Sequence, residues 1–286
     1  MSSSCLSRLR STALLALILP AVVLAADPAP LRVCADPDNL PFSNDRQQGF
    51  ENAIARLVAD DLHATLQYTW FSQQNRGFLR QTLQAGKCDL VVGVPHGYDP
   101  VLSTSPYYRS TYVFVYRKDR GLNLQSFDDP VLRKLRIGLH AYGSGGSNAP
   151  PANALARRGL SSNVVGYSIL ATADSPPGKI FKAVAQGEVD VAIVWGPLVG
   201  GFVREQSPAL VVVPVDASRE AHPLQFAFDM SMGVRRDDQD RRQQLEGVLL
   251  RRRGDIRNIL QSHDVPMVDT DSSRAVSPVA DAIVGP

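Results

Sequence analysis

The run "CDLVVGV" (88–94) constrains this chain more than any other stretch. It is apolar at nearly every position after the aspartate, so neither face of a strand built from it could meet water. A strand of that kind belongs inside a parallel sheet covered by helices on both sides. The residues ahead of it supply such cover. "RGFLRQTLQAGK" brings Phe78, Leu79 and Leu83 onto one helical face and closes at Gly86, a residue suited to a helix end. Further upstream, residues 31–35 read as a first strand. "GFENAIARLVADDL" places Phe50, Ile54, Leu57 and Val58 on one face of a helix, and "TLQYTWF" (65–71) has strand composition. The order is βαβαβ, half of a doubly wound domain.

The alternation then restarts. "YYRSTYVFVYRK" (107–118) is a long strand, and "LRIGL" (135–139) opens a second parallel set. Helical "PPANALARRGL" begins on proline and ends at Gly159. Strand "NVVGY", helix "KIFKAVAQG" and strands "VDVAIVW" and "ALVVVPV" follow. A last strand, "FDMSMGVRR", runs into an acidic helix start at Asp237, Asp238 and Asp240, and one helix carries Leu245, Val248, Leu249 and Ile256. The expected fold is α/β with two doubly wound lobes joined by two long strands. The first lobe takes residues 27–115 and 231–268, the second 116–230, and 269–286 form a loosely held tail without a clear period.

Residues 1–26 have the pattern of a cleaved export signal: Arg8 and Arg10, an apolar run of about 14 residues, then small residues that place cleavage after Ala25 or Ala26. That run is too short to span a membrane, so the expected mature protein is periplasmic, with no membrane span. Charge agrees with a neutral role. The chain has 30 basic and 28 acidic side chains, and loss of the two leader arginines leaves 28 against 28. Nucleic-acid binding would need a clustered basic surface. The one basic run, Arg251-Arg252-Arg253, falls late in a helical stretch and reads as a solvated face. Two cysteines remain, Cys34 and Cys88, and an even count in an oxidising compartment favours a disulfide. A nucleophilic thiol would want a histidine beside it; His63, His96 and His140 exist, but sequence places none next to Cys34.

In open α/β sheets ligands sit beyond the carboxyl ends of the strands. Four loops fall there: "DPDNLPFS" after the first strand, "GVPHGYDP" after the third, "HAYGSGGSN" after "LRIGL", and "WGP" after "VDVAIV". The first is rich in oxygen ligands (Asp36, Asp38, Asn39, Asp45), but its prolines break calcium-loop spacing and the turn glycine is missing. The histidines show no metal-ligand spacing. The third loop is not a serine nucleophile elbow, which would need glycine at Tyr142. Neither a metal nor a cofactor is called for.

In order and spacing, "CADPDNLPFS…GFENAIARLVADDL", "LQAGKCDLVVGV" and "SMGVRRDD" resemble the periplasmic solute-binding proteins of family 3, over about residues 31–262. The resemblance implies the type II periplasmic binding protein fold. It also implies two charged grips for an amino acid ligand, an arginine after the third strand and an aspartate in the second lobe. Here "HGYDPVLSTSPYY" contains no arginine before Arg109, and Trp195 stands where the aspartate would fall. The strings "VVGVP.GYDPVLSTSPYYRSTYVFVYR", "PPANALARRGL" and "GEVDVAIVWGP", with the two cysteines, are similar to the MxaJ/XoxJ-type proteins associated with quinoprotein methanol dehydrogenases. That likeness implies a non-catalytic accessory to a PQQ-dependent alcohol dehydrogenase or its cytochrome c partner.

The expected binding residues are Asp38, Asn39 and Phe42 on the first loop and Pro95 and Tyr98 on the second. Tyr142, Ser144, Gly145 and Ser147 represent the third, and Trp195 the fourth. Phe42, Tyr98 and Trp195 would give large rigid contact area, and the glycine-serine loop could offer backbone N–H groups ahead of a helix. Two other readings stay open. One is a receptor of an ABC-type uptake or sensing system for a small organic molecule other than an ordinary amino acid. The other is an enzyme on this fold, such as a dehydratase, using Glu51 or His96.

Overall fold

The computed structural model describes residues 29–73, 77–141, 149–168, 178–216 and 224–268. The expected signal peptide and tail lie outside these residues, as do Tyr142, Ser144, Gly145 and Ser147.

In the first lobe β1 (Pro30–Ala35) runs into a tiny hairpin, β2 (Asp38–Asn39) and β3 (Ser43–Asn44), before α1 (Phe50–Asp61). Next come β4 (Thr65–Trp70), the single-turn α2 (Phe78–Gln81), β5 (Val91–Pro95) and β6 (Leu102–Ser103). β1 pairs in parallel with β4 and meets the β5 chain through a parallel bridge, Val33 to Leu90. α1 buries Phe50, Ile54 and Val58 against Leu31, Val33 and Val92, the face its periodicity indicates.

β7 (Tyr108–Arg117) belongs to both lobes. Tyr108–Thr111 pair with a strand near the C-terminus, while Tyr112–Arg117 pair with second-lobe strands. The second lobe holds β8 (Ile137–Ala141), α3 (Pro150–Arg157), β9 (Val164–Ser168), α4 (Lys179–Gln186), β10 (Val191–Trp195) and β11 (Leu210–Pro214). Its sheet is buried on both faces, as strict alternation requires. Phe114, Tyr116, Val191 and Ile193 point to the α3 side with Ala154 and Leu155. Val113, Val115, Ala192 and Val194 point to the α4 side with Ile180 and Val184. β12 (Ala227–Val234) returns to the first lobe between β5 and β7, and α5 (Gln239–Arg251) and α6 (Arg253–Ser262) close that core with Leu245, Val248, Ile256 and Leu260.

Two elements differ from their sequence pattern. The helix expected before β5 stops at Gln81, because Thr82 leaves helical geometry (φ −119°, ψ −82°) with its hydroxyl donating to the Phe78 carbonyl at 2.6 Å. Threonine competes with the helix ladder in this way. The last helix is two, broken at Arg252 (φ −104°, ψ 15°). Arg251 and Arg252 are not simply solvated: both reach the buried side chain of Asp61 at the end of α1, at 2.5 and 2.8 Å. Their guanidinium groups hold the Asp61 carboxyl below its ordinary pKa.

A short strap, residues 263–268, ties the lobes together. Ser110 Oγ donates to the Pro266 carbonyl at 2.6 Å, and Val268 N donates to the Arg109 carbonyl at 3.0 Å. On the other side, Gly200 lies so close that a Cβ there would sit 2.7 Å from the His263 carbonyl oxygen and 3.0 Å from Pro41. Arg204 pairs with Asp264 beside it.

Candidate functional site

The first loop is knitted by its own polar groups. Asp36 Oδ1 accepts from Asp38 N at 2.9 Å and Oδ2 from Gln73 N at 2.7 Å. The Asp36 carbonyl accepts from Ser43 Oγ at 2.8 Å. Asn52 Oδ1 takes Asn44 N at 3.0 Å and Gly49 N at 3.1 Å, and Asn44 and Gln48 bond each other twice. Asp38 is exposed and Asn39 half-buried at the hairpin; Phe42 turns inward onto Phe50, ring centroids 5.2 Å apart. Cys34 and Cys88 form the disulfide, with Cα atoms 5.6 Å apart, and anchor the start of this loop to the chain entering β5.

On the second loop, Pro95 ends β5 and its carbonyl accepts from Tyr98 N at 3.1 Å. Tyr98 packs with Phe78 and Leu79 on the small core around the disulfide, and burial raises its pKa. His96 is engaged, its Nδ1 3.1 Å from the Thr104 carbonyl and 3.0 Å from Ser231 Oγ. Glu51 is buried near Gly93, where a Cβ would lie 2.1 Å from Glu51 Oε1. Burial first, and the charge of Asp36 second, push its carboxyl up to about 7. Arg109, the first arginine after β5, is buried and paired with Asp229 at 2.9 Å.

Trp195 ends β10 and is held edge-on by two rings, Tyr112 at 5.6 Å and Phe228 at 5.5 Å. It forms one wall of a recess of about 280 Å³, counting its open mouth, at the carboxyl ends of β8 and β10. The strands supply Leu139, His140, Ile193 and Val194; the α3 start supplies Ala149 and Pro151, and Leu198 and Tyr112 complete the lining. No charged side chain is among these residues. The helix start adds no anion grip either. Pro150 and Pro151 have no N–H, and Ala152 N and Asn153 N both turn back to the Ala149 carbonyl at 2.9 and 3.4 Å. The imidazole is kept neutral: burial drives the His140 pKa down to about 4. Its Nδ1 is enclosed without a partner.

Of the expected binding residues, the structure thus puts Trp195 in the recess, Phe42 against the first-lobe core and Tyr98 on the disulfide core. His140, Tyr112 and Leu198 were not singled out for binding. The position of His140 at the end of a parallel strand was the available signal. Among the described residues no cluster of three metal-ligating side chains occurs, and no helix is long and apolar enough to cross a membrane.

The sequence profile of the bacterial extracellular solute-binding proteins, family 3, matches residues 31–262. Protein MoxJ of Methylorubrum extorquens is 30% identical over 255 residues, covering 85% of this chain and 83% of MoxJ. The crystal structure of the periplasmic binding protein XoxJ from Methylobacterium extorquens AM1 is 35% identical with a TM-score of 0.67, covering 84% of this chain and 99% of XoxJ. MxaJ from Methlophaga aminisulfidivorans MPT is 25% identical with a TM-score of 0.74, covering 83% of this chain and all of MxaJ, 100%. The chain belongs to the family 3 solute-binding proteins: it is a non-catalytic binding protein of the two-lobed periplasmic type, related to MoxJ and XoxJ.

Proposed function

We propose that this binding protein acts as an accessory factor in a PQQ-dependent alcohol dehydrogenase system, where its recess receives an uncharged segment of the dehydrogenase or its cytochrome c. What carries the reading is that Arg109, the first arginine after β5, is buried against Asp229 and so is no free grip for a carboxylate, together with the resemblance, which puts Trp195 where the acidic grip would fall. A zwitterionic amino acid would leave its ammonium and carboxylate desolvated and unpaired in such a site, which costs several kcal/mol. The resemblance to the MxaJ/XoxJ-type proteins supplies the partner class.

The test is native mass spectrometry on the protein gently isolated from its own periplasm, followed by titration of the dehydrogenase with wild type and Trp195→Ala. A complex with the quinoprotein or cytochrome, weakened about tenfold or more by Trp195→Ala as expected for an aromatic anchor, supports the reading. A monomer carrying an extra small-molecule mass favours the alternative, a receptor for a neutral organic solute. N-terminal sequencing of the same sample tests export: the mature chain should begin just after Ala25 or Ala26.

A further inference from the structure

We propose that Glu51 is a proton-operated latch between the lobes: its neutral carboxyl keeps the rim loop of the first lobe seated on Gly200 of the second, and its ionisation lifts the loop and lets the lobes part. This goes beyond the accessory reading and does not rest on the recess. The buried acids are satisfied in different ways. Asp89 is held by Arg32 and Arg235, and Asp61 by Arg251 and Arg252. Asp36 accepts N–H bonds from Asp38 and Gln73. Glu51 is only 9% exposed, and among the described residues its carboxyl makes no hydrogen bond or ion pair. Its Oε1 takes the space over Gly93 that a larger residue there would need. The titratable groups acting on it or feeling its charge are Asp36 just after β1, Tyr68 on β4, and Tyr107 and Tyr108 at the start of β7. None of the four is a cation, and the Tyr108 hydroxyl is itself enclosed without a partner. On its own helix Arg56 turns to Gln47 at 2.7 Å, and His96 beyond β5 is held by Thr104 and Ser231.

The backbone joins this carboxyl to the second lobe. Phe50 N donates to the Pro41 carbonyl at 3.0 Å, and Glu51 N to the Phe42 carbonyl at 2.9 Å. Pro41 in turn bears on the second lobe, since a Cβ on Gly200 would lie 3.0 Å from it. Glu51 therefore holds the rim loop by its backbone while its side chain lies near Asp36, where that loop begins. Ionised, the two carboxylates share a low-dielectric interior, where like charges repel far more strongly than in water. Displacing the loop lets water in and relieves the repulsion, and it takes Pro41 off Gly200. Burial and Asp36 raise the Glu51 carboxyl to about 7, so the neutral form predominates below that pH and the charged form above it. Linkage fixes the sign: the proton binds more tightly while the loop is seated, so acid closes the latch and alkali opens it. Beside the Arg204–Asp264 pair, the other titratable side chain at this contact is His263. Its ring lies 6.4 Å from Phe50 and its carbonyl oxygen meets Gly200.

The experiment uses the full mature protein, labelled for fluorescence energy transfer at Asp60→Cys in α1 and Arg157→Cys in α3, exposed positions on opposite lobes. Infrared difference spectra follow the carboxylic acid bands over the same pH range. Transfer efficiency should fall as pH rises through about 7, together with loss of the acid band that titrates there. Glu51→Gln, which cannot ionise, should lack that band and hold the low-pH efficiency throughout, with unchanged far-ultraviolet circular dichroism. His263→Gln should keep the wild-type transition. A flat wild-type profile while the acid band disappears overturns the latch, and so does an unchanged transition in Glu51→Gln. Loss of the transition in His263→Gln assigns it to the histidine and overturns the latch as well. If Glu51→Gln does not fold, the wild type still decides: energy transfer and the acid band have to share one midpoint, and separate midpoints overturn the inference.

Discussion

The rim loop of the first lobe and the recess of the second occupy corresponding places, beyond the carboxyl ends of parallel strands, yet they are built by opposite rules. The rim satisfies most of its polar groups internally: Asp36, Asn44 and Asn52 each bond the loop's own backbone, and only Asn52 Nδ2 is buried there without a partner. The recess is mostly apolar, its side-chain polar atoms confined to Tyr112, His140 and Trp195, with His140 Nδ1 enclosed without a partner. The difference teaches that a polar-looking loop is not thereby a binding loop. A loop of this length leaves many N–H and C=O groups to satisfy, and short oxygen-bearing side chains are the local means of doing so.

If the rim is a rigid frame, severing its anchor should have the largest effect. The disulfide separates its cysteines by 54 residues, so the loop-entropy estimate for Cys34→Ser with Cys88→Ser is a loss of about 4 kcal/mol, read as a lower urea midpoint. The recess lies in the other lobe from the bridge, so the folded fraction should keep its affinity for the dehydrogenase. Loss of that affinity would show that the two regions are not independent.

Glu51 sharpens the comparison next, since it is the rim's one strongly perturbed acid. Below pH 4.5 it is protonated in both folded and unfolded chains, and its contribution is complete. Between pH 4.5 and about 7 the unfolded chain releases the proton while the folded one keeps it, so stability falls. Above about 7 the loss is complete, at about 3 kcal/mol. Glu51→Gln cannot ionise, and should be more stable than wild type at pH 8 by up to that amount, with the gap closing towards pH 4.5. Parallel stability profiles for the two proteins would remove Glu51 from the account.

The strap gives a smaller effect. Gly200→Ala would place a methyl group 2.7 Å from the His263 carbonyl oxygen and 3.0 Å from Pro41. Overpacking of this kind costs about 1–3 kcal/mol. A lowered melting temperature, together with a larger radius of gyration in solution scattering, would show that this contact holds the lobes together. A lower melting temperature at constant radius would confine the effect to packing.

How much of this was legible in sequence follows from what generates each feature. The element order and core faces rest on periodicity, so Phe50, Ile54 and Val58 could be assigned inward from spacing alone, and Leu90, Val91, Val92 and Val94 could be recognised as buried on both sides. The early stop at Thr82 and the break at Arg252 could not, because each depends on a particular bond: the Thr82 hydroxyl to Phe78, the Arg252 guanidinium to Asp61. Trp195 was visible as an oddity where an acid was expected. His140 was not, because a histidine in an apolar strand looks the same whether its nitrogens are satisfied or not. Only the surroundings of Nδ1 separate the two cases.

The smallest expected effect is also the most discriminating for the recess. Pro151 sits in the first turn of α3 and lines the recess, contributing no N–H. Replacing it with alanine frees one dihedral in the unfolded chain, which costs about 0.4–1 kcal/mol. It also restores one main-chain donor at a helix start, where an anion gains about 0.3–1 kcal/mol. Pro151→Ala should therefore lower the melting temperature by a degree or two while giving acetate a weak, saturable effect on the His140 resonances. The wild-type protein should show none. If acetate still leaves no mark on the variant, the exclusion of anions does not come from the prolines. It would then have to come from the neutral imidazole and the apolar wall alone.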